Sequence, residues 1–299
     1  MSRLQANLLL LLSGAIWGAG FIAQSTAMET LGPIWFIGLR FTVATTVALP
    51  FALIEKKRAP APTSTGNRIG FVLTGLALFA AAATQQVGLL TTSVTNSGFL
   101  TGLYVVFTPI LTTFVLRRRP HWVVWPSALA ATAGIFLLSG GAFSALSTGD
   151  LLTILCAFLW SVQMICVGLF AGRSQRPLAL SLVQFAVCAI LGCALAAAIE
   201  PISLAAIRGA LVEILYAGFF SSGLAFICQN VAQRHTTAPQ AAIFLSSEAL
   251  FAALFGVVLM GDSIAAAGYA GCAIIFVAML ATELVPELEK AKEKRLAAA

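Results

Sequence analysis

The chain has 299 residues, 60% of them hydrophobic and only 9% charged, with a mean hydropathy of +0.97. Soluble domains carry roughly 25% charged residues, so this composition excludes a water-soluble globular domain and places the chain in lipid. The formal charge of +6 does not point to nucleic acid, because the basic residues cluster at the ends of apolar runs, where an anionic leaflet anchors them.

About 20 apolar residues are needed to cross the hydrocarbon layer as a helix. Ten runs meet that need in chain order: 6–27, 33–54, 69–90, 94–116, 122–139, 151–171, 178–199, 207–233, 239–260 and 265–283. The first, although Arg3 precedes it, reads as a retained helix rather than a cleaved signal, by its length and by its counterpart in the second half. The connectors alternate in charge. On one side stand Arg3, Lys56, Lys57, Arg58, Arg68, Arg117, Arg118, Arg119, Arg173, Arg176, Arg234, Lys290, Lys292, Lys294 and Arg295; the opposite connectors hold Arg208, and Arg40 lies inside a run. The positive-inside rule then puts both termini in the cytoplasm. The charged stretch 285–299 reads as a cytoplasmic tail, a short helix or disordered.

All six cysteines (Cys156, Cys166, Cys188, Cys193, Cys228 and Cys272) lie inside apolar runs, without the spacing of a disulfide framework or a metal site. The two histidines, His121 and His235, fall at helix ends. No metal or cofactor is expected.

Shifting the chain against itself by about 145 positions aligns its landmarks. Trp17 meets Trp160. Pro33, before Arg40-Phe41, meets Pro177, before Gln184-Phe185. Thr91-Thr92, followed by Phe99-Leu100-Thr101, meets Thr236-Thr237, followed by Phe244-Leu245-Ser246. Five helices per copy is an odd number, so the second copy must enter the membrane from the other face. The expected fold is therefore an all-α membrane protein of ten transmembrane helices, built as two inverted five-helix repeats over 1–145 and 146–284, with a midplane site between them.

The segment Phe244-Leu-Ser-Ser-Glu248-Ala-Leu-Phe-Ala-Ala-Leu-Phe-Gly-Val-Val-Leu-Met-Gly261-Asp262 resembles the ninth-helix signature of EamA-type transporters of the drug/metabolite transporter superfamily. It carries Ala249 where that family usually has proline, and Asp262 where it usually has glutamate. Ile16-Trp17-Gly18, Arg40, and Pro109 in the first copy also match, so the resemblance covers nearly the whole chain. It implies a central cavity lined by helices 1, 3, 4, 6, 8 and 9, helices 5 and 10 at the periphery, and export of small metabolites, amino acids among them.

Helical spacing gives an independent set of candidates. Ser97, Thr101, Tyr104 and Thr108 recur on one face of the fourth helix, a hydroxyl stripe that either lines a cavity or bonds a neighbouring helix. Trp17, Phe21 and Gln24 share a face of the first helix, and Trp160, Gln163 and Met164 one of the sixth; their rings offer either a substrate wall or plain core. The third helix adds Phe79, Gln85 and Gln86, and the eighth Phe226, Gln229, Asn230 and Gln233; Phe244 heads the ninth-helix signature. Amides both donate to a carboxylate and accept from an ammonium, which suits a zwitterion, while structural amide pairing would give the same pattern. Glu248 reads as a proton site, an amine site or a structural charge; Arg40 is expected near the extracytoplasmic end, snorkelling. The pairs Gly14/Gly18, Gly98/Gly102 and Ala252/Gly256 are small-xxx-small motifs suited to close helix crossings within the chain.

An intramembrane enzyme would need a buried nucleophile with its base, a metal cluster or paired acids, and the sequence offers none of these. A receptor gains nothing from inverted duplication. The reading is a monomeric multi-pass exporter in the bacterial inner membrane, with no nucleic-acid partner, moving amino acids (aromatic and other large neutral ones included) by alternating access. A multidrug, purine or other metabolite exporter of the same family is the alternative.

Overall fold

The computed structural model describes residues 1–58, 63–140, 146–255, 257–258 and 265–297, with the side chains of residues 21, 22, 25, 94, 95, 290, 294, 295 and 297 outside that description. All the described secondary structure is helical: α1 (Arg3–Ala27), α2 (Pro33–Arg58), α3 (Thr65–Gly88), α4 (Val94–Thr101), α5 (Tyr104–Phe114), α6 (Val124–Leu138), α7 (Thr148–Ser174), α8 (Pro177–Ile199), α9 (Leu204–Gly209), α10 (Leu211–Tyr216), a π-helical segment Ala217–Ala225, α11 (Phe226–Ala232), α12 (Ala238–Leu245), α13 (Ser247–Phe255) and α14 (Ala266–Ala297). Among the described residues eight stretches are long and apolar enough to cross a membrane, and Val124–Leu138 is a shorter apolar helix. Large apolar side chains point outward along them, with Leu53, Leu73, Leu129 and Val277 at 50, 50, 66 and 62% exposure. Water would penalise such a surface, whereas lipid does not. The chain is a multi-pass membrane protein.

Helix starts follow local chemistry. Ser64, Ser93 and Thr237 cap α3, α4 and α12 through their hydroxyls, and Ser147 and Asp150 form a capping box on α7. Thr92 donates its hydroxyl to Asp150, tying the α3–α4 connection to the start of α7.

The helices α2 and α8 form the most extensive antiparallel pair of the bundle. Glu200, just past the end of α8, accepts the backbone N–H groups of Ile34 and Trp35 at the start of α2, at 3.0 and 2.9 Å. Glu55, in the last turn of α2, accepts those of Leu178 and Ala179 at the start of α8, at 3.1 and 2.8 Å. Each carboxylate satisfies two of the unpaired donors of the other helix and faces the positive end of its dipole. Between these ends the backbones nearly touch: a Cβ on Gly38 would lie 2.7 Å from the nitrogen of Cys193, so only glycine fits. Lipid gives helices no hydrophobic reason to associate, and close approach of this kind supplies the dispersion contact instead.

Four of the helical runs expected from the sequence differ in the structure. The runs 94–116 and 239–260 each divide into two helices, an eight-residue one (α4, α12) followed after a tight turn by a second (α5, α13). The run 207–233 contains the wide π turn. And α14 does not stop at 283: it continues through Pro286 to Ala297. Proline removes the hydrogen bond that would go to the carbonyl four residues earlier, here Thr282, and that carbonyl accepts the Gln240 side-chain amide instead, at 3.0 Å. The extended end of α14 is further held by Arg3 to Glu283 and Glu287, at 3.1 and 3.0 Å, and by His121 and Trp122 to Glu289, at 2.8 and 3.0 Å.

The small-residue motifs divide likewise. Gly18 presses on α13, where a Cβ would lie 2.7 Å from the nitrogen of Ala252; Gly98 has open space around it, so Gly98/Gly102 is not a crossing motif of this chain. Gly256 lies outside the described residues. Gly134 of α6 meets Gly271 of α14, whose carbonyl would stand 2.7 Å from an added Cβ, and the two helices form a pair.

Glu200→Ala is expected to remove two charge-assisted bonds to α2, about 1.5–3 kcal/mol, and Glu55→Ala the same for α8. Each should lower the thermal unfolding midpoint of the detergent-purified protein by several degrees; an unchanged midpoint would deny the caps a structural role.

Candidate functional site

The two repeat-related tryptophans come together. The rings of Trp17 (α1) and Trp160 (α7) lie 6.3 Å apart, and both face Phe226 (α11), at 4.8 and 5.4 Å. Phe41 and Phe185, also related by the sequence offset, stand 6.0 Å apart on the far side of Phe226. Aromatic pairs in this distance range add to plain area burial, and here they place Phe226 at the hub of five rings.

Against this cluster lies a cavity of about 40 Å³ lined by Trp17, Gln24, Arg40, Gln85, Thr101, Tyr104, Trp160, Met164, Ser221, Phe226 and Glu248. It has room for about three waters. Helices α1, α3, α4, α5, α7, α11 and α13 and the π segment supply lining residues, as the family resemblance implies, and α2 adds Arg40, which the resemblance does not.

Arg40 does not snorkel. It is 4% exposed, donates from Nη1 to Gln24 Oε1 at 3.2 Å, and sits 5.3 and 5.2 Å from the ring centres of Phe36 and Phe41. Its own neighbours on α2 thus turn the guanidinium inward by cation–π attraction, and Gln24 holds it there. The Nε of Arg40 has no partner, and among the described residues no carboxylate pairs with the group. Glu248 faces the same cavity from α13, and no described hydrogen bond or ion pair joins it to Arg40. One cavity therefore holds a guanidinium with no carboxylate partner among the described residues and a carboxyl group.

The hydroxyl and amide candidates separate into two groups. Gln85 donates to the Thr101 hydroxyl at 3.0 Å, and both line the cavity, as does Tyr104. Thr108 bonds back to the Tyr104 carbonyl at 2.6 Å, one turn along α5 and outside the lining. Ser97 is fully buried there too, its hydroxyl without a partner. Gln86 donates to the Gln24 carbonyl at 3.2 Å; Gln229 donates to Gln163 at 3.3 Å and to Gln233 at 3.1 Å, Gln163 to Gln184 at 3.2 Å, and Asn230 to Ser181 at 2.7 Å. Gln86 thus joins α3 to α1, the other amides join α7, α8 and α11, and none of these donors lines the cavity, as structural pairing in a dry interior requires. Phe79 flanks the Phe41–Phe185 cluster and Phe244 is buried in a separate core beside Tyr104. The side chain of Phe21 lies outside the described residues.

Ser221 is the lining residue that the sequence conceals. It sits in the π segment, whose wide turn presents backbone carbonyls sideways: Trp17 Nε1 donates to the Ser221 carbonyl at 2.9 Å and Ser13 to that of Ala225 at 2.8 Å. Single π turns inside helices recur at functional sites. Nothing in the residue pattern of Ala217–Ala225 announces one.

The profile of the EamA-like transporter family matches residues 4–140 and again 147–283. Trp160 stands as far into the second match as Trp17 does into the first. A transporter of Archaeoglobus fulgidus (strain ATCC 49558), itself uncharacterized, is 29% identical over 284 residues, covering 95% of this chain and 87% of that protein. A crystal structure with 20% sequence identity superposes with a TM-score of 0.78, covering 95% of this chain and 98% of the other, and shows the same fold.

Trp17→Phe keeps a ring against Phe226 but leaves the Ser221 carbonyl without its donor. It is expected to cost about 1–2 kcal/mol, seen as a lower unfolding midpoint in detergent; a midpoint equal to that of the parent protein would mean the indole bond is dispensable.

Proposed function

We propose that this chain, which belongs to the EamA-like transporter family, exports zwitterionic metabolites, amino acids with aromatic or other large neutral side chains foremost, through the cavity between its two halves. The observation that carries the reading is the shared presence of unpaired Arg40 and Glu248 on one cavity whose remaining wall is Trp17, Trp160 and Phe226. An α-carboxylate finds a guanidinium, an α-ammonium finds a carboxylate, and a large side chain finds rings. A cationic drug would use Glu248 and the rings but would meet Arg40 as a repelling charge, so the multidrug alternative fits less well; a neutral purine would leave both charges unused.

Ten crossings in two inverted repeats, over 1–145 and 146–284, with both termini cytoplasmic, complete the proposal. The reciprocal Glu55 and Glu200 caps and the meeting of Trp17 with Trp160 support it, since duplication with inversion brings equivalent residues face to face across an axis. Alternating access requires the halves to part on one side and then on the other. The protein is proposed to do this as a monomer in the bacterial inner membrane.

The test is counterflow in proteoliposomes with labelled L-phenylalanine, L-leucine, a cationic drug and a purine. L-phenylalanine exchange is expected, falling on the order of tenfold in Trp17→Ala and in Trp160→Ala, about the loss of one buried ring contact of 1.4 kcal/mol; absence of any amino-acid flux would sink the substrate assignment. The two charges should separate by ligand. Arg40→Gln is expected to weaken competition by 3-phenylpropionate and to spare phenethylamine, Glu248→Gln to do the reverse, and equal effects of both variants on both competitors would refute recognition by opposite charges.

A further inference from the structure

A second cavity, of about 460 Å³, opens at the end of the bundle that carries most of the arginines and lysines. Its lining includes Arg3, Arg118, Arg119 and His121 and, among the described residues, no aspartate or glutamate. Arg3 is engaged by Glu283 and Glu287, and His121 by Glu289. Arg118 and Arg119 have no carboxylate partner among the described residues. Thr112, 8% exposed, also belongs to the wall of this cavity, and its buried hydroxyl has no hydrogen-bond partner. A hydroxyl withdrawn from water and left unpaired costs free energy, and a turn of this side chain would offer it to a group bound in the cavity.

Thr112 also fixes how this cavity relates to the central one. Tyr104, Thr108 and Thr112 stand four residues apart on one face of α5, so about 12 Å of helix separates the first from the last. Tyr104 lines the central cavity and Thr112 the outer one. Thr108 stands between them, its hydroxyl 3.9 Å from the Met164 sulfur. On α7 the order repeats, with Met164 lining the centre and Ile165 and Gly168 the outer cavity.

We propose that the outer cavity is a second binding site, for an oxyanion, held by Arg118 and Arg119, with Thr112 turning its hydroxyl to the bound group. The oxyanion is either the carboxylate of a molecule on its way to the central cavity or the phosphate of an anionic lipid headgroup. The site stands on its own geometry; only the assignment to a transported carboxylate rests on the exporter reading. In that case Thr108 and Met164 form the step between the outer site and the inner one, and the substrate passes with its carboxylate handed from Arg118 and Arg119 to Arg40.

The probe is labelled 3-phenylpropionate, an oxyanion without an amine, in equilibrium binding to the whole protein in phosphatidylcholine nanodiscs, with every variant carried in an Arg40→Gln background so that the central cavity does not hold the probe. Two exposed arginines and an isosteric threonine change leave folding intact, so Arg118→Gln with Arg119→Gln, and Thr112→Val, are the variants. The double arginine variant is expected to weaken binding at least about tenfold and Thr112→Val severalfold, whereas Trp17→Ala, at the centre, retains this binding. Displacement by phosphatidylglycerol in the nanodisc would assign the site to a lipid headgroup, and displacement by L-phenylalanine to the transported carboxylate; either supports an oxyanion site. Binding that survives the arginine and threonine variants, or that neither competitor displaces, overturns it. If Trp17→Ala alone removes binding, the outer site is refuted while the central one stands, and if the outer site binds but no amino acid is transported, the exporter reading fails while the outer site stands.

Discussion

Two carboxylates, each accepting two backbone N–H groups of a neighbouring helix, set the frame on which the rest of this bundle is hung. Glu55 and Glu200 close opposite ends of the α2–α8 pair, and they do so because a helix start in or near lipid has no water to satisfy its unpaired donors. With both ends fixed and Gly38 in backbone contact with α8, the pair cannot slide. α3 and α7 pack on α8, and the π segment packs on α2. Phe41 on α2 and Phe185 on α8 are thereby brought beside Phe226, and the ring cluster that walls the central cavity inherits its geometry from the caps at either end.

The same requirement, that polar groups find partners inside the protein, accounts for features that look unrelated. Pro286 leaves a carbonyl unpaired and Gln240 satisfies it, so α14 continues where proline would otherwise end it. The π turn on the way to α11 exposes two carbonyls and α1 supplies both donors, Ser13 and Trp17. The amides of Gln163, Gln184 and Gln229 are linked in a chain. The pairing is incomplete: Gln184 Nε2, Gln229 Oε1 and the Ser97 and Ser222 hydroxyls are among the buried atoms without a partner, as are Arg40 Nε and the Thr112 hydroxyl. Arg40 and Thr112 border cavities, and so does Glu248.

Much of this was legible in the sequence because it depends on spacing along one helix or on the repeat. Trp17 and Trp160 declare themselves by occupying equivalent places, and Thr101 and Tyr104 by sharing a face. What was not legible depends on a partner distant in the chain. Gln85 and Gln86 are adjacent and chemically identical, yet one reaches Thr101 at the cavity and the other the Gln24 carbonyl; only the position of α1 distinguishes them. The sequence alone leaves Arg40 free to snorkel, because its depth can be counted along the chain while its direction cannot: Phe36, one turn earlier, and Gln24, on another helix, decide that. The Glu55 and Glu200 caps are a different case. Each glutamate follows a helix that opens with proline, Pro33 or Pro177, and the two lie one repeat apart, so the repeat that revealed the tryptophans contained these as well.

The arrangement of charges along the path then has a physical logic. An arginine buried without a counter-ion is costly, and a protein retains it only if something that visits the cavity repays the cost. Arg40 is surrounded by ring faces, which stabilise the cation without neutralising it, so it remains available to an incoming carboxylate in a way that a salt-bridged arginine would not. In the exporter proposed above, a visiting zwitterion satisfies Arg40 and Glu248 together, its carboxylate meeting the guanidinium and its ammonium the glutamate. Occupancy and opening are then coupled, because the ligand that satisfies both groups is also the one that the halves must part to admit.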